Sequence, residues 1–221
     1  MDFEIFPSIL SADFANLAKD VTECESSGAS GVHIDIMDGQ FVPPITFGPM
    51  IVKAISNITK LYLDVHLMVV EPNRYFKELY DSGANSISFH IESSNQIKSD
   101  LNELFDLGVT RSLAINPETP ITQVTPFLNH VDQILIMSVN PGYGGQEFIS
   151  SSLSKIEDLK RLKEENRGFK IQVDGGIKAD NIIQVLQAGA DSVVAGSAIF
   201  NSNGTVSKNM ETIISNIKSM E

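Results

Sequence analysis

Residues 31–38 read Gly31-Val32-His33-Ile34-Asp35-Ile36-Met37-Asp38. A β-strand sends successive side chains to opposite faces, so His33, Asp35 and Met37 share one face. Ile34 and Ile36 take the other, toward a layer of helices. Residues 62–69 repeat the device. Leu63-Asp64-Val65-His66-Leu67-Met68 sets Asp64, His66 and Met68 on one face and the apolar residues on the opposite one.

Six further runs rich in β-branched and apolar residues flank these two, giving predicted strands at 4–10, 31–38, 62–69, 86–90, 110–116, 133–139, 170–174 and 192–196. Amphipathic stretches of about 10–15 residues separate them, the pattern of repeated βα units on a parallel sheet. Gly28, Gly83, Gly108 and Gly189 each stand just before the next strand, where a left-handed helix stop is wanted. No Pro/Ser-rich linker or low-complexity tract interrupts the series. Residues 1–221 therefore read as one α/β domain, a single (β/α)8 TIM barrel, with an open doubly wound sheet as the alternative that counting leaves.

The chain has 221 residues, 42% of them apolar, enough to bury a full core and near the lower size for an eight-fold barrel. Its net charge of −12, without a basic stripe, excludes the electrostatic footprint of a nucleic-acid or anionic-membrane binder. A phosphate ester would have to be held by local donors and helix termini against that field. No segment is long and apolar enough to span a bilayer, and the acidic start Met1-Asp2-Phe3-Glu4 lacks the basic region of a secretory signal. The lone Cys24 cannot form an intramolecular disulfide; beside Glu23, Glu25 and Ser26 it reads as a helix-surface residue in a reducing, cytoplasmic setting.

In a barrel of this type, function gathers at the C-terminal ends of the strands. Those ends carry His33, Asp35, His66 and Asp174, two imidazoles and two carboxylates suited to a first-row divalent metal with room for substrate. Taken singly, a strand histidine is ordinarily a hydrogen-bonded core residue and an aspartate before glycines a turn former. Four converging at one mouth weigh against that. Gly175-Gly176 after strand 7 and Gly196-Ser197 after strand 8 offer backbone N–H groups and a short helix N-terminus to a phosphate. Asn140-Pro141-Gly142-Tyr143-Gly144-Gly145-Gln146 has the composition of a flap over the mouth. His90 and Glu92 read as structural hydrogen-bonding residues, His130 as solvated, and 155–167 as an exposed helix face with i,i+4 pairs.

The motifs, in order, resemble those of the ribulose-phosphate 3-epimerase family over essentially the whole chain. They are Pro7-Ser8-Ile9-Leu10-Ser11-Ala12-Asp13, His33-Ile34-Asp35-Ile36-Met37-Asp38-Gly39, Phe41-Val42-Pro43, Asp64-Val65-His66-Leu67-Met68-Val69, Met137-Ser138-Val139-Asn140-Pro141-Gly142, Val173-Asp174-Gly175-Gly176 and Ala195-Gly196-Ser197. The resemblance implies a ribulose-phosphate-binding barrel that epimerises ribulose 5-phosphate at C3 in the pentose phosphate pathway. It implies His33, Asp35, His66 and Asp174 as ligands of one divalent metal ion per subunit, Zn2+ first among Zn2+, Fe2+, Mn2+ and Co2+. It also implies Asp35 as proton acceptor and Asp174 as proton donor.

Ser8 and His66 resemble the contacts to the sugar oxygens. Gly142, Tyr143, Gly144, Gly145, Gly175, Gly176, Gly196 and Ser197 resemble the phosphate-end and flap residues, and Met37, Met68 and Met137 a sulfur-lined pocket wall. The partner implied is a small sugar phosphate, and the assembly a homo-oligomer, dimer or hexamer. One departure stands out: Pro44 follows Phe41-Val42-Pro43 where the family usually has asparagine. That leaves allulose-6-phosphate 3-epimerase as a rival. Related phosphate-binding decarboxylases use an Asp-x-Lys-x-x-Asp array, whereas Asp64-Val65-His66 has no lysine. A non-catalytic sugar-phosphate sensor would be free to lose Asp35 or Asp174, and both are present.

Overall fold

The structure, a computed structural model, describes residues 3–166 and 168–218. Eight parallel strands form one sheet in the order β1-β8-β7-β6-β5-β4-β3-β2. They are β1 (Glu4–Pro7), β2 (Gly31–Met37), β3 (Tyr62–Met68), β4 (Ser86–His90), β5 (Thr110–Ile115), β6 (Gln133–Met137), β7 (Lys170–Asp174) and β8 (Ser192–Ala195). The sheet comes round on itself where Ser30 N–H donates to Ile5 O at 2.9 Å and where Ser8 bridges His33 in parallel. The barrel expected from the sequence is thus the fold, and the open doubly wound alternative is excluded.

The helices are α1 (Leu17–Ser26), α2 (Pro49–Ser56), α3 (Asn73–Ser82), α4 (Ile97–Leu107), α5 (Ser152–Asn166), α6 (Ile182–Ala188) and α7 (Val206–Lys218). Gly83 (φ 105°) and Gly108 (φ 77°) close α3 and α4 in the left-handed conformation anticipated for them. Between β5 and β6 the helical layer thins to two 3-10 turns, Ile121–Gln123 and Thr125–His130. Pro120 precedes this segment and Pro126 lies within its second turn; each lacks an N–H and biases its predecessor away from the α region. His130 ends the second turn and is half-buried rather than solvated.

The two faces of every strand meet different surroundings. Val32, Ile34, Ile36, Val65, Leu67, Ile87, Phe89, Ile134, Ile136, Ile171 and Val173 belong to one apolar cluster shared with the helices. Phe76 of α3 packs on Phe89 of β4 with ring centroids 5.6 Å apart. The inward faces carry His33, Asp35, Asp64, His66, Ser88, Ser112, Gln133 and Gln172, all buried. The main hydrophobic core is therefore an annulus around a polar lumen, and Met37, Met68 and Met137 line the lumen's upper end.

Two surface readings are corrected. Cys24 is 1% exposed and sits in the apolar cluster beside Val21, because a helix turns about 100° per residue and carries Glu23 and Glu25 away from it. Burial, with the charges of Asp20 and Glu23 nearby, pushes its thiol up to about 12. Lys155 and Lys163 of α5 do not belong to a free charged face either. Lys155 Nζ donates to the carbonyls of Asn116 at 3.0 Å and Thr119 at 2.6 Å and to that of Pro117, and Lys163 reaches Asp191 at 2.5 Å. Of the segment 155–167, Arg167 lies outside the described residues.

Candidate active site

The two-residue period of β2 and β3 aims His33, Asp35 and His66 into the lumen, and β7 ends on Asp174, with β1 and β8 between it and β2. One donor atom from each of these four residues falls within 4.8 Å of the others. His66 Nδ1 lies 3.2 Å from Asp35 Oδ1 and 3.7 Å from Asp174 Oδ2. His33 Nε2 lies 3.4 Å from Asp35 Oδ1 and 3.8 Å from Asp174 Oδ2.

Each carboxylate is placed by hydrogen bonds that leave an oxygen facing the cluster. Ser8 Oγ donates to Asp35 Oδ2 at 2.6 Å, and Thr46 Oγ1 donates to the Asp35 carbonyl at 2.8 Å while accepting from Met37 N–H. Ser138 holds the backbone around Asp174 through its N–H to Asp174 O at 2.8 Å and its Oγ to Gly175 O at 2.7 Å. The histidines are held from behind. His33 Nδ1–H donates to Asp64 Oδ2 at 2.8 Å, and Gln172 Nε2 donates to the same oxygen at 2.9 Å. His66 Nε2 is 2.9 Å from His90 Nε2, and His90 Nδ1 is 3.2 Å from Glu92 Oε2.

These surroundings set the charges. Burial opposes ionisation of Asp35, but the charges and hydrogen bonds of His33 and His66 outweigh it and hold the carboxyl well below its usual range. Burial and the negative charge of Asp35 both push Asp174 up, to about 7. Burial disfavours a cationic His33, yet Asp35 and Asp64 raise it well above an ordinary imidazole. For His66, burial dominates and lowers the value. The surroundings thus push the two carboxyls in opposite directions, Asp35 toward the carboxylate and Asp174 toward the acid, the arrangement by which neighbouring acids divide acid and base roles.

The chemistry of the donor set fits a divalent cation. Two nitrogens and two carboxylates converge, His33 Nε2 is buried with no hydrogen-bond partner among the described residues, and the other nitrogen of each imidazole is already engaged.

Above the cluster a cavity opens at the barrel mouth. Its lining includes Ser8, Asp35, Met37, Met68, Met137, Gly142, Tyr143, Gly144, Gly145, Asp174, Gly175, Gly176, Gly196 and Ser197, so the residues singled out in the sequence come together. His33 and His66 lie fully buried beneath it. Gly175 (φ 116°) and Gly176 (φ 66°) admit no side chain: a Cβ would come within 2.4 Å of Val139 Cγ2 and 2.5 Å of Phe148 N. Among the described residues, the backbone N–H groups of Gly144, Gly176 and Ser197 make no hydrogen bond inside the protein. The expected short helix after strand 8 is a single turn, in which Ile199 and Phe200 N–H both donate to Gly196 O. Gln146 Nε2 staples the flap by donating to Asn140 O and Tyr143 O at 2.7 and 2.8 Å. Pro44 packs on that flap, with Cδ 3.5 Å from where a Gly142 Cβ would lie.

Several residues joined the site without having been singled out. Ser11 lines the cavity, and its Oγ lies 2.7 Å from where a Gly196 Cβ would be. Asp64 was placed on an inward face, but its pairing with Gln172, which makes both supports of His33, crosses the barrel. His90, read as a structural hydrogen-bonding residue, finds its partner in the cluster itself: its Nε2 reaches His66 on the adjacent strand.

A model of the ribulose-phosphate 3 epimerase family matches residues 4–200. The ribulose-phosphate 3-epimerase of Synechocystis sp. is 48% identical over 201 residues, 89% of this chain and 87% of that one. That of Bacillus subtilis is 43% identical over 199 residues, 89% and 92%. The chloroplastic ribulose-5-phosphate-3-epimerase of Arabidopsis thaliana is 44% identical over 203 residues, 90% and 72%. Among solved structures, a mutant tryptophan synthase α-subunit from Pyrococcus furiosus superposes with a TM-score of 0.72 at 17% identity, covering 97% of this chain and 98% of that one, a likeness of fold alone. With the family match running from β1 past β8 and such identity over nine-tenths of the sequence, the chain belongs to the ribulose-phosphate 3-epimerase family, isomerases that act on carbohydrates.

Proposed function

We propose that the chain, working as one catalytic barrel over 1–221, interconverts D-ribulose 5-phosphate and D-xylulose 5-phosphate, with Asp35 and Asp174 exchanging the C3 proton. The observation that carries this reading is the convergence of the Asp35 and Asp174 carboxyls with two imidazoles beneath a glycine-lined cavity that both carboxyls line.

Inverting C3 of a 2-ketose requires a base on one side of the carbon and an acid on the other. Asp35, held ionised, removes the proton; Asp174, holding its own, delivers one to the opposite face of the enediolate. The roles reverse for the return reaction. A divalent cation bound by His33, Asp35, His66 and Asp174, Zn2+ first among Zn2+, Fe2+, Mn2+ and Co2+, would supply Lewis-acid stabilisation of the developing negative charge. Ser8 contacts the sugar oxygens, His66 lies beneath them in the cation site, and Met37, Met68 and Met137 keep the reacting carbon away from water.

The phosphate is assigned to the N–H groups of Gly176 and Ser197 and to the flap from Gly142 to Gly145, donors that work locally in a chain of net charge −12. A homo-oligomeric state, dimer or hexamer, and a cytoplasmic setting belong to the same reading and rest on the family. Pro44, seated against Gly142, favours testing the six-carbon substrate as a second reading.

The test is turnover of purified, metal-analysed protein with ribulose 5-phosphate and allulose 6-phosphate in parallel. Xylulose 5-phosphate as the faster product is expected. Turnover of the hexulose phosphate alone would move the substrate assignment, and turnover of neither by metal-replete protein would overturn the catalytic reading.

A further inference from the structure

We propose that His90 and Glu92 are positioning residues, which set the tautomer of His66 so that its Nδ1 lone pair, and not an N–H, faces the four-residue cluster. This rests on the reading of that cluster as a metal site.

For a neutral His66, the form that can ligate a cation, the chain of hydrogen bonds has one consistent solution; a cationic His66 would instead donate from Nδ1 to Asp35 Oδ1 at 3.2 Å. Glu92 accepts from the backbone N–H of Asn116 at 3.0 Å and from Thr119 Oγ1, so its carboxylate is the fixed end of the series. Facing His90 Nδ1 at 3.2 Å, Glu92 Oε2 requires the proton on that nitrogen. A neutral His90 then presents a lone pair at Nε2. His66 Nε2, 2.9 Å away, must supply the hydrogen between them, which leaves Nδ1 of His66 unprotonated toward Asp35 and Asp174. The other tautomer of His66 would set two lone pairs against each other at 2.9 Å, unless His90 turned its proton inward and faced a carboxylate with a lone pair.

The geometry around the series is rigid. The rings of His66 and His90 stack with centroids 5.0 Å apart and planes 24° from parallel, and Phe41 packs on His90 at 4.8 Å. His90 is fully buried, whereas the Glu92 side chain is 23% exposed at the far end. Lys155 of α5 binds the carbonyls of Asn116, Pro117 and Thr119 and so fixes the loop whose donors hold Glu92. A half-buried lysine of the helical layer is thereby linked to the buried cluster through a loop and two side chains. His33 differs: its Nδ1–H donates directly to the carboxylate of Asp64. The two histidines thus present opposite nitrogens to the cluster, Nε2 from His33 and Nδ1 from His66.

Partners behind a ligating histidine fix its orientation and raise its basicity, and losing one costs about 10–100-fold in metal affinity. The experiment measures Zn2+ affinity of the full-length chain by competition with a chromophoric chelator, and the d–d spectrum of the Co2+-loaded protein, alongside thermal unfolding. Glu92→Gln and His90→Leu are expected to bind Zn2+ about 10-fold and up to about 100-fold more weakly and to shift the Co2+ bands. His90→Gln, whose amide oxygen can accept the His66 proton, is expected to recover part of the loss. If His90→Leu does not fold, Glu92→Gln decides. A purely structural role would lower the unfolding temperature while leaving Zn2+ affinity within about twofold and the Co2+ spectrum unchanged, and that result overturns the proposal. If the native chain itself binds neither ion, the metal reading fails and this inference with it; native binding with unaffected variants sinks the inference alone.

Discussion

The outer faces of β2 and β3 and their inner faces are built from alternate residues of the same segments, and they answer to opposite demands. Outward, Val32, Ile34, Ile36, Val65 and Leu67 join an apolar annulus whose burial stabilises the barrel by roughly 25 cal/mol per Å2 removed from water. Inward, His33, Asp35, Asp64 and His66 are buried just as deeply, and burying charge is costly unless it is paired. A shift of one residue in register would exchange the two sets. The comparison teaches that stability is concentrated in the annulus and reactivity in the lumen, so substitutions on the two faces should separate folding from turnover.

The largest expected effect is on the lumen side. Asp35→Asn and Asp174→Asn should each lower kcat by about 100-fold to 10,000-fold while the protein still unfolds in one cooperative transition, checked by turnover and circular dichroism side by side. On the annulus side, Phe89→Ala should destabilise the barrel by about 3–5 kcal/mol in denaturant titrations, because the Phe76 ring loses its partner and a cavity remains. Activity per folded molecule should hold. A Phe89→Ala protein that is stable but inactive would break the division between the two regions.

Smaller effects sharpen it. Asp64→Asn removes the carboxylate behind His33 and should weaken Zn2+ binding by about 10–100-fold without changing which product forms. Pro44→Asn touches only the loop beneath the flap. It should change kcat/KM by less than about tenfold, mostly through KM, since Pro44 packs on the flap and not on the acid/base pair. Comparing the two ketose phosphates in this variant shows whether the loop sets their ratio.

Much of this division was legible in the sequence, and the exceptions have physical reasons. The period of two in residues 31–38 and 62–69 places every inward residue correctly, because each strand has one face against helices and one against the lumen. The first strand stops at Pro7, earlier than its apolar run, because Ser8 Oγ accepts from Leu10 N–H and turns the chain. Cys24 was misplaced by its sequence neighbours, which lie on other sides of the helix. Lys155 read as solvated because its acceptors, the carbonyls near residues 116–119, are nearly forty positions away. His90 and Glu92 read as structural hydrogen-bonding residues and no more for the same reason: His66, Asn116 and Thr119, which tie them to the cluster and the loop, lie on neighbouring strands and loops where local pattern carries no trace of them.

The most direct measurement is the fate of the C3 hydrogen when native protein turns over ribulose 5-phosphate in D2O, followed by proton NMR. Two carboxyls that exchange protons with solvent between turnovers predict xylulose 5-phosphate carrying deuterium at C3 and at no other carbon. Epimerised product that keeps its original C3 hydrogen would contradict proton transfer through Asp35 and Asp174.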